Sequence, residues 1–236
     1  MILCCLNGLS QFSQDILDLC QEFKNEGVVG IDIAGDEGAI STQGGSELYT
    51  DFEKSIFVQA KNMGIHRTVH AGEDGPSEIV KVAVEQMHAE RIGHGYRVMQ
   101  DPELYQKCLK NSIHFETCPT SSMLTGSVPL ATATCLKHPV MQFAQDQANF
   151  SINTDDTTVT DSSLNNEYEL VRSWGMNEVH LTRAVSVPIV FSSVASRRDR
   201  RAKRIYFFWW LRWSKFGHAI KKSRKNETYF FGYWLE

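Results

Sequence analysis

Short β-branched and apolar runs alternate, over most of the chain, with longer stretches whose apolar positions recur at helical spacing. The runs Ile2–Leu6, Val28–Ile33, His66–His70, Glu90–Gly93, Ile113–Thr117 and Phe150–Asn153 predict six strands. Gln14–Lys24, with Ile16, Leu17, Leu19, Cys20 and Phe23, predicts an amphipathic helix, as does Ser77–His88, with Ile79, Val80, Val82, Ala83, Val84 and Met87. Ser77 follows Gly75-Pro76 and precedes Glu78, a helix-start pattern, and Glu103–Lys110 after Asp101-Pro102 predicts a further helix. Such alternation is the pattern of repeated βα units about a parallel sheet. Six strands are two short of a closed (β/α)8 barrel. They suit an open doubly wound sheet equally well, and periodicity does not choose between the two.

A length of 236 residues suits one α/β domain, since eightfold barrels run to about 250 residues. Hydrophobic residues at 42% exclude an intrinsically disordered chain. The six cysteines (Cys4, Cys5, Cys20, Cys108, Cys118 and Cys135) form no Cys-x-x-Cys pair, so they read as buried thiols of a reducing compartment rather than a disulfide framework. Met1–Leu6 lacks the positive flank and length of a signal peptide, and no run approaches a membrane span. These features predict a cytoplasmic protein.

Charge divides the chain. Residues 196–236 hold 12 of the 24 basic side chains and three acids, a balance of +9, which leaves −13 for the first 195 residues and −4 overall. The same tail holds 12 of the 25 aromatic residues. Basic residues interleaved with Tyr206, Phe207, Phe208, Trp209, Trp210 and Trp213 could contact nucleic acid or an anionic membrane. The plainer reading is an appended sequence whose composition is not a site, and no nucleic-acid partner is expected.

Polar clusters close the strands: His70-Ala-Gly-Glu73, Arg91-Ile-Gly-His94-Gly95 and Asn153-Thr-Asp155-Asp156. A histidine at a strand's carboxyl end can ligate zinc or simply be a satisfied structural histidine. Glu73 can be a buried general acid or the first-turn acid of the next helix. His94, between two glycines, can serve as a base or as a turn histidine. Asp155 and Asp156 can supply a metal ligand and a partner for a base nitrogen, or cap a helix with Thr154. Asp32, Gly35 and Asp36 end the second strand in the same way. Together these strand ends point to a metal-assisted hydrolase.

Val28-Val-Gly-Ile-Asp32-Ile-Ala-Gly35-Asp-Glu37, His66-Arg-Thr-Val-His70-Ala-Gly-Glu73, Glu90-Arg-Ile-Gly-His94-Gly-Tyr96, His114-Phe-Glu-Thr-Cys-Pro119 and Asp146-Gln-Ala-Asn-Phe-Ser-Ile-Asn-Thr-Asp155-Asp156 resemble the adenosine deaminase family, in order and spacing, from about Ile2 to about Arg183. The resemblance implies an amidohydrolase-type (β/α)8 barrel that hydrolyses the 6-amino group of adenosine or deoxyadenosine with one zinc ion. It implies His70 and Asp155 as zinc ligands, Glu73 as the proton donor to N1, and His94 as the residue that orients the attacking water and takes its proton. Asp156 would bond N7, and the Gly35 amide would approach N3.

The family's zinc-binding His-x-His on its first strand has no counterpart in this sequence, which begins at what resembles the family's third strand. The expected arrangement is therefore a partial barrel over residues 1–183, with a divergent tail over 184–236. Weak zinc binding and self-association through unpaired barrel edges are expected. The alternative reading is a catalytically impaired product with a non-catalytic role.

Overall fold

The computed structural model describes residues 1–37, 49–128 and 138–195, with residues 187–195 described by their backbone only. Six strands form one sheet: β1 Ile2–Leu6, β2 Gly30–Ala34, β3 His66–Ala71, β4 Arg91–His94, β5 His114–Thr117 and β6 Asn149–Ile152. Every neighbouring pair is parallel, and the strands follow one another in sequence order. A doubly wound sheet reverses its strand order at a switch point, and this sheet has none. Right-handed crossovers between successive strands put all the connections on one side. The result is an arc of a (β/α)8 barrel holding six of its eight units.

Between the strands lie α1 Ser13–Glu22, α2 Asp51–Asn62, α3 Ser77–Glu85, α4 Pro102–Lys110, α5 Pro119–Leu124 and α6 Pro139–Gln145. After β6 come α7 Thr157–Thr160, α8 Leu164–Ser173 and α9 Glu178–Ala195. Their starts are chemically marked. Thr50 and Glu53 form a capping box on α2, and Asp101 accepts from the Leu104 amide ahead of Pro102 on α4. Helix α9 packs against β6. The basic, aromatic tail from residue 196 onward lies outside the described residues, as does Cys135.

The sheet's two faces differ in kind. Toward the helices it presents Ile31, Ile33, Val69, Ile92, Phe115 and Phe150, which are buried with Leu17, Ile56, Phe57, Ile79, Val80 and Phe143 in one apolar cluster. Toward the concave side the strand register sets polar residues in rows. Thr68 pairs with Arg91, Arg91 with His114 and His114 with Asn149; one step on, His70 pairs with Gly93, Gly93 with Glu116 and Glu116 with Ser151. Arg91 and Thr68 both donate to the Glu116 carboxylate, while His114 bonds Asn149 and Ser151 at 2.7 and 3.0 Å.

Among the described residues, β1 pairs on one side only, with β2, and β6 with β5. The open edge shows in the side chains of β1: Leu6 is 51% exposed, and Cys4 is exposed rather than buried as its apolar run suggests. Cys5, Cys20, Cys108 and Cys118 are buried free thiols.

Candidate active site

The carboxyl ends of β2 to β6 gather the strand-end polar groups. His70 lies across β4, and a Cβ at Gly93 would stand 2.7 Å from its ring, so only glycine leaves room for the imidazole. His70 Nδ1 bonds Asp32 Oδ1 at 3.1 Å, which ties the end of β3 to β2. The His94 ring sits 5.4 Å from that of His70, edge to face. Its Nε2 lies 3.4 Å from Glu73 Oε2 and 3.8 Å from Asp155 Oδ2. The structure thus brings His70, Glu73, His94 and Asp155 together.

Backbone conformation aims two of the four. Alternation along β4 would send His94 to the helix side with Ile92, but His94 takes φ +60° and the following Gly95 φ +75°. Asp155 takes φ +61° after the end of β6. Left-handed backbone at non-glycine residues costs about 1–2 kcal/mol and concentrates at functional sites. Ser121 at the start of α5 donates to Asp155 Oδ2 at 2.8 Å and fixes that carboxylate.

The remaining two candidates lie at the same end of the sheet. Asp156 caps α7, its Oδ1 accepting from the Thr158 amide at 3.0 Å, while its own amide donates to Asp155 Oδ1 at 2.9 Å. Helix capping therefore falls to Asp156 rather than Thr154. Gly35 directly follows β2 and takes φ +113°. Two residues on, the buried Glu37 carboxylate accepts from the amides of Gly72, Asp74 and Gly75 at 2.5, 2.7 and 2.6 Å. That clamp holds the loop carrying Glu73. Glu73 is not a first-turn acid of α3, which begins at Ser77 with Glu78 in that role. Strand-end patterning marks Asp32, but it singles out neither the clamp of Glu37 nor the partners Glu116 and Ser121; Glu116 is a polar residue inside a strand run, whereas Ser121 lies in the helix that follows.

Electrostatics separates the titratable groups. Burial raises the Glu73 carboxyl, and the Asp155 and Glu37 carboxylates raise it further. Burial and the neighbouring His70 charge push His94 well below the usual histidine range. At His70 burial works against the cation, yet the Asp32 carboxylate outweighs it and pushes the imidazole up to about 9. A folded-state value above the ordinary 6.5 means that this pair contributes stability in full below pH 6.5, and that the contribution is lost as pH rises through about 9. Metal-free protein will accordingly show a urea midpoint that falls across that interval, and Asp32→Asn will flatten the fall. A wild-type midpoint that stays level across it would contradict the pairing.

A parallel βα arc with histidines and carboxylates gathered at the carboxyl ends of its strands is the framework of the barrel hydrolases. The family described as adenosine deaminase matches residues 1–202. Adenosine deaminase of Gallus gallus is 45% identical over 177 residues, covering 73% of this chain and 45% of the relative. That of Xenopus tropicalis is 44% identical over 202 residues, covering 85% and 53%. The chain belongs to the adenosine deaminase family. It spans about half the length of the curated relatives it matches. Among solved structures, a cog1816 amidohydrolase from Burkholderia ambifaria with bound Zn superposes at a TM-score of 0.75 with 22% identity, covering 94% of this chain and 58% of that one. The apo N6-methyl-AMP deaminase from Arabidopsis thaliana superposes at 0.69 with 23% identity, covering 88% and 57%. These two likenesses confirm the barrel fold.

Proposed function

We propose that the chain carries the base-facing part of a zinc-dependent adenosine deaminase, acting on adenosine and deoxyadenosine in purine metabolism in the cytoplasm. The observation that carries this reading is the convergence of Glu73, His94 and Asp155 beside a histidine, His70, already oriented by a carboxylate.

The donor set suits zinc. With Nδ1 of His70 engaged by Asp32, Nε2 is left for a metal, the arrangement in which a carboxylate orients a zinc-ligating imidazole. His70 and Asp155 would hold the ion. When bound, zinc lowers the pKa of water to about 7 and so supplies a nucleophile at neutral pH. Two protein donors fall short of the three usual in catalytic sites, and the sequence contains no His-x-His to supply more, so affinity in this chain is weak.

Glu73, its carboxyl raised, gives its proton to purine N1, which draws electron density from C6. His94, held neutral, takes the proton released as the water oxygen bonds to C6. The C6–N6 bond then breaks and the nitrogen leaves as ammonia with the proton from His94, while the C6 hydroxyl loses its proton to become the carbonyl of inosine and the Glu73 carboxylate takes a proton back, so that adenosine plus water becomes inosine plus ammonia. Asp156 meets the N7 side of the base and the Gly35 amide the N3 side. The edges of Ile2–Leu6 and Asn149–Ile152 that are open among the described residues suit association with further strands, including those of a second copy.

A non-catalytic role is the second reading, favoured by the lack of a His-x-His motif. One experiment separates them. The purified chain receives stoichiometric zinc and adenosine, and the absorbance change to inosine is followed with and without a separately made polypeptide carrying the first two βα units of a relative. Turnover that appears or rises with the added units supports the deaminase; no turnover in either mixture leaves the non-catalytic role.

A further inference from the structure

We propose that His94, Cys118 and Asp155 form a site for a soft divalent cation, with a ligand set different from the His70 and Asp155 pair. One donor atom from each lies within 4.8 Å of the others. Tetrahedral bonds of about 2.0–2.3 Å place donors about 3.3–3.8 Å apart, so a contraction of about an ångström closes the three on one ion. A thiol with an imidazole and one carboxylate selects ions such as Cd2+ or Zn2+ over Mg2+ and Ca2+.

A second observation points the same way. His94 is 3% exposed, and its Nδ1 is buried with no hydrogen-bond partner. Buried ring nitrogens without partners are rare; with Nδ1 bound to no acceptor it can carry the ring proton, which leaves Nε2, the nitrogen 3.8 Å from Asp155 Oδ2, as the donor to an ion. Cys118 is held where it stands by its backbone: its amide donates to the Tyr96 hydroxyl at 2.9 Å and Pro119 follows it. Asp155, Glu116, Glu167 and Glu73 surround the thiol with negative charge. Burial first and that field second oppose loss of the thiol proton to leave a bare thiolate, but the field attracts a cation, and a coordinating thiol is deprotonated outright. Binding exchanges the S–H bond for a sulfur–metal bond and releases one proton to solvent, with no electrons transferred. Since the ion engages His94, it would also occupy the group assigned above to proton transfer.

The test titrates Cd2+ into the purified chain and follows the sulfur-to-cadmium charge-transfer absorbance. One equivalent should saturate the band in the wild type, in His70→Ala and in Cys4→Ser, which removes an exposed thiol; Cys118→Ser should lose the band. The proposal is overturned by a band that survives in Cys118→Ser or vanishes in His70→Ala, or by a wild type that shows no band, with or without bound Cd2+. Circular dichroism checks that each variant folds. If Cys118→Ser does not fold, cadmium-edge X-ray absorption of Cys4→Ser decides, where one sulfur among nitrogen and oxygen neighbours is expected and any other sulfur count overturns the site. Deaminase turnover is not read, so this site and the deaminase reading fail separately.

Discussion

Under the proposed mechanism, Glu73→Gln will lower kcat for adenosine deamination by about 10²- to 10⁴-fold, the usual worth of a positioned general acid, while KM changes little. Glutamine keeps the shape of the side chain and its contact with Thr125, whose hydroxyl lies 3.4 Å from Glu73 Oε1, but it has no acidic proton to give N1. The measurement is steady-state turnover of the zinc-loaded chain supplemented with the first two βα units of a relative. The loss falls on kcat because protonation of N1 belongs to the transition state rather than to binding. A loss under tenfold would remove Glu73 from proton transfer and leave it a substrate-facing carboxyl.

The second large effect lies on the opposite side of the sheet. Phe115→Ala will cost about 3–5 kcal/mol of stability, read from urea unfolding, because Phe115 is fully buried and stacks on Phe143 with ring centroids 4.6 Å apart. Phe115 also covers Gly95, where a Cβ would stand 2.5 Å from its ring. Gly95→Ala alone therefore suffers both a clash and a φ of +75°. In the double variant the clash disappears and the backbone strain remains, so the two losses should sum to more than the double variant's loss. Strict additivity would mean that Phe115 yields freely to the added methyl group.

Much of this architecture is legible from the chain. Each of the six strands lies where a β-branched run predicts it, with shifts at the ends: Val28 and Val29 fall before β2, and β4 begins at Arg91 and extends to His94. Helix α2 is legible too, from the capping box of Thr50 and Glu53 and from Phe52, Ile56, Phe57 and Ala60 at helical spacing. The choice between a barrel arc and a doubly wound sheet is not carried by local periodicity at all; it is a matter of strand order. At the site, His70 can be placed by alternation, since His66, Thr68 and His70 share the concave face. His94 cannot, because alternation points it the wrong way and only its left-handed backbone returns it toward Glu73 and Asp155. Glu37 escapes for a different reason. Its three partners are backbone amides, which leave no trace in side-chain patterning.

The polar rows on the concave face, set against the apolar cluster under the helices, divide the molecule's tolerance of change. Cohesion resides mainly on the convex side, where Phe57, Phe115, Phe143 and Phe150 are buried. Strand-end side chains outside contacts such as that of His70 with Asp32 can therefore be exchanged with little effect on the melting temperature. Inherited variants on the two faces would differ in kind: convex ones would lower the amount of protein, and concave ones would leave the amount intact and change what it does.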